Sequence, residues 1–144
     1  GITTRRHGMG HSSFSPTSMQ KTVTIHRFHM ELLARLVKKL DAVPEGDGTM
    51  LDNTLVFYTS DFGEKHHAQC FEWPVVLLGG PKGIMKPGNR FLEYPKYGVK
   101  GHRTMANLHM TFLKAAGAPR ASFGSRDPVI ADIDQPGPLS ELLV

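Results

Sequence analysis

Apolar residues recur every three or four positions in two stretches of the chain, the spacing that places them along one face of a helix. The first stretch runs from about Met19 to Leu40, and the second runs from about Arg103 to Ala116. Gly117 and Pro119 follow the second stretch, as expected after the end of a helix. The apolar positions of the first stretch are Ile25, Phe28, Leu32, Leu33, Leu36, Val37 and Leu40. The pattern predicts two amphipathic helices.

Two short apolar runs between these helices predict buried strands. Thr54 to Thr59 is β-branched and aromatic without polar alternation, and Val75 to Leu78 begins after Pro74. A third, short strand is predicted over Phe91 to Tyr94. Helices that alternate with strands covered on both faces indicate an α/β fold with a mainly parallel sheet, flanked by helices.

The composition suits one α/β domain. The chain has 144 residues, of which 40% are hydrophobic and 21% charged, with one cysteine, so a disulfide framework is excluded. Its net charge of +4 comes from scattered basic residues, which does not favour a nucleic-acid partner. No run approaches the ~20 apolar residues of a membrane span. Gly1 to about Pro16 lacks periodicity and the apolar stretch of a signal peptide, and it is predicted to be a loop.

Histidine is the residue whose abundance points to chemistry, with eight in the chain. Asp61, His66 and His67 follow the first predicted strand, at the end where an open α/β sheet binds its ligands. A carboxylate with neutral imidazoles suits zinc or manganese. The alternative is a solvated loop in which Asp61 caps a turn.

Three further histidines are candidate metal ligands. The spacing of His7 and His11 lets both face one ion on a helical turn, although two intervening glycines favour a loop. His102 directly precedes the second helix, where a ligand is held rigidly; the alternative is a solvent-exposed residue at the start of that helix. The other histidines near the apolar faces of the helices are interpreted as packing residues: His26, His29 and His109.

Several motifs run through most of the chain. They include Ile25-His-Arg-Phe-His-Met-Glu31, Val43-Pro-Glu-Gly-Asp-Gly-Thr49, Leu51-Asp-Asn53, Trp73-Pro-Val-Val-Leu-Leu-Gly-Gly80 and Lys86-Pro-Gly-Asn-Arg90. Together they resemble the C-terminal part of an exported bacterial family, domain of unknown function fifteen-fifty-two. That family and its sister family, fifteen-oh-one, resemble the alkaline phosphatase and sulfatase superfamily.

The resemblance implies roles for the candidate ligands. The strand that ends at Asp61 is similar to the sulfatase strand that delivers a metal-binding aspartate. The helix after His102 is similar to the late helix of the superfamily, which follows the last metal-site residue. Phe62 stands where the phosphatase pattern has a ligand histidine, so His66 or His67 would substitute for it.

The same resemblance places His7 and His11 at an earlier Asp-x-x-x-His pair, with histidine in place of aspartate. The motif Cys-x-Pro-x-Arg, which carries a modified nucleophile in sulfatases, does not occur in the chain. The resemblance therefore implies a chain that lacks the nucleophile. It is either a C-terminal fragment of a larger alkaline-phosphatase-like domain or a small relative that kept the scaffold and lost the reaction.

Two functions follow as hypotheses. The first is part of a metal-dependent hydrolase of phosphate or sulfate esters, exported or periplasmic, that uses zinc or manganese on a small anionic substrate. Lys82, Lys86 or Arg103 would contact the anion. The second is a non-catalytic α/β module that binds a ligand or partner as a homo-oligomer, because a truncated core exposes strand edges and apolar faces.

Overall fold

The computed structural model describes residues 1–11, 15–60, 71–86, 88–130 and 137–144. The chain divides into two compact units. The first unit comprises Gly1–Leu51 and Thr59–Val75, and the second comprises Asp52–Tyr58 and Val76–Val144. Helices and strands are both present, so the coarse expectation of a mixed helix and strand fold is confirmed.

The first unit contains the helices α1 (Arg6–His11) and α2 (Pro16–Asp41). The side chain of Ser15 caps α2 by accepting a hydrogen bond from the backbone N–H of Ser18 at 3.1 Å. Proline at the first helical position and two lysines in the last turn also favour the helix. The predicted first helix is confirmed, with a slightly earlier start.

Helix α1 replaces part of the loop predicted over residues 1–16, so that prediction is wrong for Arg6–His11. Gly8 and Gly10 lower the intrinsic helix propensity of this segment. Tertiary packing outweighs that propensity, because Met9 is buried and α1 packs against α2.

A short hairpin follows α2. Strands β1 (Pro44–Glu45) and β2 (Gly48–Thr49) pair antiparallel, with Pro44 opposite Thr49 and Glu45 opposite Gly48. Gly46 has a φ of 61° at the first central position of the two-residue loop, a conformation that favours glycine.

Strands β3 (Leu55–Thr59) and β4 (Val75–Gly79) form a second two-stranded sheet and confirm the two principal strand predictions. The N–H of Gly80 donates to the Thr54 carbonyl at 2.8 Å, and the Thr59 hydroxyl donates to the Pro74 carbonyl at 2.8 Å. These pairings bring the start of one strand beside the end of the other, which makes the sheet antiparallel.

The predicted mainly parallel sheet is therefore wrong for the described residues, whose two small sheets are both antiparallel. A continuous apolar run shows that both faces of a strand are covered, but it carries no information about the direction of the neighbouring strand. The predicted strand over Phe91 to Tyr94 is also wrong, since these residues are irregular.

The third helix, α3 (Met105–Ala115), confirms the second helix prediction. Thr104 and Asn107 form a capping box at its start. At its end Gly117 has a φ of 75°, and the N–H of Ala118 donates to the Leu113 carbonyl at 2.8 Å. Sequence signals at both ends thus define this helix.

The core of the second unit lies beside α3. Met85, Ala115 and Leu143 form a buried cluster, and the partly buried Leu55, Leu77 and Leu142 pack against it. The N–H of Val144 donates to the Ile84 carbonyl at 3.0 Å, and the N–H of Lys86 donates to the Leu142 carbonyl at 3.0 Å. These bonds join residues 140–144, which include a 3₁₀ turn at Ser140–Leu142, to residues 84–86.

Candidate functional site

The six predicted metal ligands differ in what the structure shows of them. Asp61, His66 and His67 lie outside the described residues. His7 is exposed on α1, and His11 is the last residue of that helix, with its side chain outside the described part. Helix α1 does supply the helical backbone that the spacing of these two histidines requires for a shared ion.

His102 is buried, with 2% of its surface exposed, so the alternative of an exposed residue at the start of α3 is wrong. The preceding turn places it there: the N–H of His102 donates to the Val99 carbonyl at 3.0 Å, and Gly101 has a φ of 91°. The sequence predicted its position next to the helix. Its burial depends on packing that the sequence pattern does not report.

The two ring nitrogens of His102 have different environments. Nδ1 lies 3.3 Å from the carbonyl oxygen of Val99, and a carbonyl only accepts, so the contact assigns the proton to Nδ1. Nε2 is buried and has no hydrogen-bond partner among the described residues. In the neutral ring its lone pair is therefore available to a ligand.

Tyr97 and Asp127 lie next to His102. The Tyr97 and His102 rings are 5.9 Å apart between centroids. The Tyr97 hydroxyl donates to Asp127 at 2.5 Å, and the N–H of Val129 donates to the other carboxylate oxygen at 2.9 Å. The Tyr97 hydrogen bond, helped by the Val129 amide, holds the pKa of Asp127 below its usual value.

The lowered pKa of Asp127 makes part of the stability acid-sensitive. Its contribution is complete above the ordinary pKa of 3.8 and is lost as the pH falls through the lower pKa of the folded state. We expect Asp127→Asn to flatten the fall of the urea midpoint between about pH 4 and pH 2. Asp47→Asn, in the exposed hairpin loop, is the matched control and should leave the wild-type profile unchanged. Identical acid profiles for wild type and Asp127→Asn would contradict the prediction.

A buried polar face of α3 fixes the segment that follows residue 136. The Asn107 side-chain amide donates to the Gly137 carbonyl at 2.7 Å. The hydroxyl of Thr111 accepts from the Leu139 N–H at 2.7 Å and donates to the Asn107 carbonyl at 2.8 Å. The sequence does not single out Asn107 or Thr111 as functional residues. The spacing Thr104-x-x-Asn107 is the one sequence feature that could have predicted the helix cap.

Glu141, held by that segment, lies among cationic and phenolic side chains that we name the Glu141 cluster: Arg90, Tyr94, Arg103 and Glu141. The Nε atom of Arg103 is 3.9 Å from the Glu141 carboxylate, and Nη1 of Arg90 donates to the Glu141 backbone carbonyl at 2.7 Å. Burial, helped by the Glu141 carboxylate, raises the pKa of Tyr94 to about 12. The sequence indicated Arg103 as an anion contact but did not indicate this cluster, because Glu141 lies far along the chain from the other three residues.

The three predicted anion contacts have different positions. Arg103 belongs to the Glu141 cluster, and the Nζ atom of Lys86 lies 3.4 Å from the neighbouring Ser140 carbonyl. Lys82 is exposed, and its backbone N–H donates to the Asp52 carbonyl at 2.8 Å. The structure therefore brings two of the three cations to the segment that carries Glu141.

The ring contacts of His109 confirm that it is a packing residue. Its ring stacks on Phe123 at 4.7 Å between centroids and makes edge contacts with Phe112 and Phe57 at 6.0 and 6.5 Å. On α2, the rings of His26 and His29 lie 6.3 Å apart in an edge contact.

Comparisons with known proteins assign no family, since no family model, curated protein or solved structure matches the chain. In residues 1–11, 15–60, 71–86, 88–130 and 137–144, no helix has the length and hydropathy needed to cross a membrane. Within the same residues, no three His, Cys, Asp or Glu side chains are grouped as a metal site.

Proposed function

We propose that this chain contributes the Nε2 atom of His102 to the divalent metal site of a hydrolase that cleaves phosphate or sulfate esters. The observation that carries the proposal is the buried Nε2 atom, which has no hydrogen-bond partner among the described residues. Leaving a buried polar atom unsatisfied costs ~1–3 kcal/mol. A bound ion would remove that cost.

The contact on the other side of the ring supports the same role. Metal-ligating histidines donate their second ring N–H to a carbonyl or carboxylate, which fixes the tautomer and the orientation of the ring. The contact between Nδ1 of His102 and the Val99 carbonyl has this form. The bound metal would polarise the ester and stabilise the charge that develops on it.

The remaining ligands in this proposal come from the sequence. The resemblance to the alkaline phosphatase and sulfatase superfamily supplies Asp61 and either His66 or His67, with His7 and His11 as further candidates. Carboxylate and imidazole together are ligands that zinc and manganese accept.

Zinc binding by the full chain tests the proposal. Calorimetry and thermal unfolding are run with and without zinc, and again after chelation, on wild type, His102→Asn and His29→Asn. Asparagine keeps a donor near the Val99 carbonyl and removes Nε2. We expect zinc to raise the melting temperature of wild type reversibly. His102→Asn should lose at least about tenfold in affinity, the loss that even outer-shell substitutions cause.

The control His29→Asn, on α2, should bind zinc as wild type does. Manganese is titrated in parallel, because the ligand set suits both ions. Absence of binding with both ions, or equal affinity in wild type and His102→Asn, would exclude His102 as a ligand.

One observation favours the second candidate, a non-catalytic α/β module that forms a homo-oligomer. No residue of α2 is buried, and three of its predicted core positions are exposed: Phe28 by 56%, Leu32 by 44% and Leu36 by 43%. Exposed apolar surface of this kind marks interaction sites. This candidate expects an oligomer in sedimentation that Leu32→Glu converts to monomer, whereas a strict monomer at high concentration would exclude it.

A further inference from the structure

The Nε2 atom of His102 is shielded from solvent. Only 2% of the surface of His102 is exposed, and the Tyr97 ring lies against its imidazole at 5.9 Å between centroids. A metal ion that takes part in catalysis keeps one coordination position open for water or substrate. A metal site built on this atom therefore needs a neighbouring part of the second unit that can open.

The segment that follows α3, residues 118–129, has the properties of a part that opens easily. All of its residues are exposed except Asp127, which is partly buried. Residues 119–125 form neither helix nor strand, and they make no backbone hydrogen bond within the part of the chain that the structure describes. Segments with few buried contacts and exposed backbone groups open locally at a low cost in free energy. We name residues 118–129 the strap.

Side chains hold the strap at its middle and near its end. Phe123 stacks on His109 of α3 at 4.7 Å between ring centroids. Asp127 accepts a hydrogen bond from the Tyr97 hydroxyl at 2.5 Å, and Tyr97 is the residue whose ring lies against His102. The contact near the end therefore connects the strap to the aromatic ring beside the proposed metal ligand.

We propose that the strap controls the access of a divalent metal ion to Nε2 of His102, with the hydrogen bond between Tyr97 and Asp127 as its latch. When this bond breaks, the strap can move away from α3 and the Tyr97 ring can turn away from the imidazole. The bond joins a hydroxyl to a carboxylate, which is among the stronger kinds of hydrogen bond, so it favours the closed form. The choice of a metal ion as the ligand rests on the proposed hydrolase function.

Chemical labelling of the histidines in the full chain tests the proposal, with no metal added. Diethyl pyrocarbonate acylates an unprotonated imidazole nitrogen, and in His102 that nitrogen is Nε2. Peptide mass spectrometry gives the labelling rate of each histidine, with the exposed His7 as the internal reference. Tyr97→Phe keeps the ring and removes the latch, and Asp127→Ala removes the latch from the other side. Each should raise the labelling rate of His102 by about tenfold, the effect of losing a hydrogen bond to a charged group.

Ser125→Ala is the matched control, since Ser125 is an exposed residue of the strap that is not part of the latch. It should change the labelling rate of His102 by less than about twofold. Equal labelling rates in wild type and both latch variants, or an equal rise in Ser125→Ala, would overturn the proposal.

Labelling of the wild-type chain in urea gives a second test that needs no variant. Local opening of the strap exposes little surface, so the labelling rate of His102 should be nearly independent of urea below the unfolding transition. A rise as steep as that of global unfolding would show that only the unfolded chain exposes Nε2, and the strap would then have no role.

Stopped-flow mixing with zinc distinguishes failure of the strap from failure of the metal site. We expect zinc to associate with the latch variants about tenfold faster than with wild type, because their open form is more populated. Faster labelling of His102 in these variants without zinc binding would support the strap and refute the metal site. Zinc binding with labelling that does not depend on the latch would refute the strap alone.

Discussion

Replacing Asn107 by alanine is expected to lower the free energy of unfolding by about 3 kcal/mol. The Asn107 side chain accepts from the Thr104 N–H at 2.8 Å and donates to the Gly137 carbonyl at 2.7 Å. Loss of the cap costs about 1 kcal/mol. The partly buried Gly137 carbonyl would also lose its Asn107 donor, and an unsatisfied group there costs up to about 1–3 kcal/mol more.

Urea unfolding at neutral pH measures the effect of Asn107→Ala. Lys114→Ala is the control on the same helix, where an exposed side chain should change stability by less than about 0.5 kcal/mol. A loss in Asn107→Ala no larger than that of the control would show that the polar face of α3 does not hold the segment after residue 136.

Leu143→Ala is also expected to lower the free energy of unfolding by about 3 kcal/mol, independently of the effect of Asn107→Ala. Leu143 is 7% exposed and packs in the cluster with Met85 and Ala115. Truncating a buried leucine loses its transfer free energy and leaves a cavity, which together cost about 2–5 kcal/mol. The backbone pairing of this segment with residues 84–86 does not depend on the side chain, so the loss isolates packing.

The neighbouring residue supplies the control for Leu143→Ala. Val144 is 80% exposed, and Val144→Ala should change the free energy of unfolding by less than about 0.5 kcal/mol. Equal urea midpoints for the two variants would contradict the placement of Leu143 in the core.

Local sequence signals predicted the elements that depend on local chemistry. Helix α3 has a capping residue before it and a left-handed glycine, Gly117, after it, so its bounds could be read closely. Strands β3 and β4 were recognised from runs of β-branched and apolar residues. The sequence pattern did not predict helix α1, because its two glycines have low helix propensity. The helix forms because Met9 is buried, and that burial is not visible in the local sequence.

The features that the sequence could not predict depend on contacts between distant residues. The direction of the strands in the β3–β4 sheet depends on which strand ends lie side by side, as the hydrogen bond between Gly80 and Thr54 shows. The amino-acid composition of a strand is the same whether its neighbour runs parallel or antiparallel. For the site, the pattern selected His102 by its place before a helix. The unsatisfied Nε2 atom and the gathering of Tyr94, Arg103 and Glu141 became visible only in the fold.

The long-range contacts made by residues 140–144 have a consequence for folding kinetics. The bonds from Lys86 to Ser140 and from Arg90 to Glu141 close loops of 54 and 51 residues. Loop closure on this scale is entropically unfavourable, and domains rich in such contacts fold more slowly than those with local contacts. During translation, Met85 and Ala115 are synthesised before their partner Leu143. The core of the second unit therefore completes only after the ribosome has added that residue.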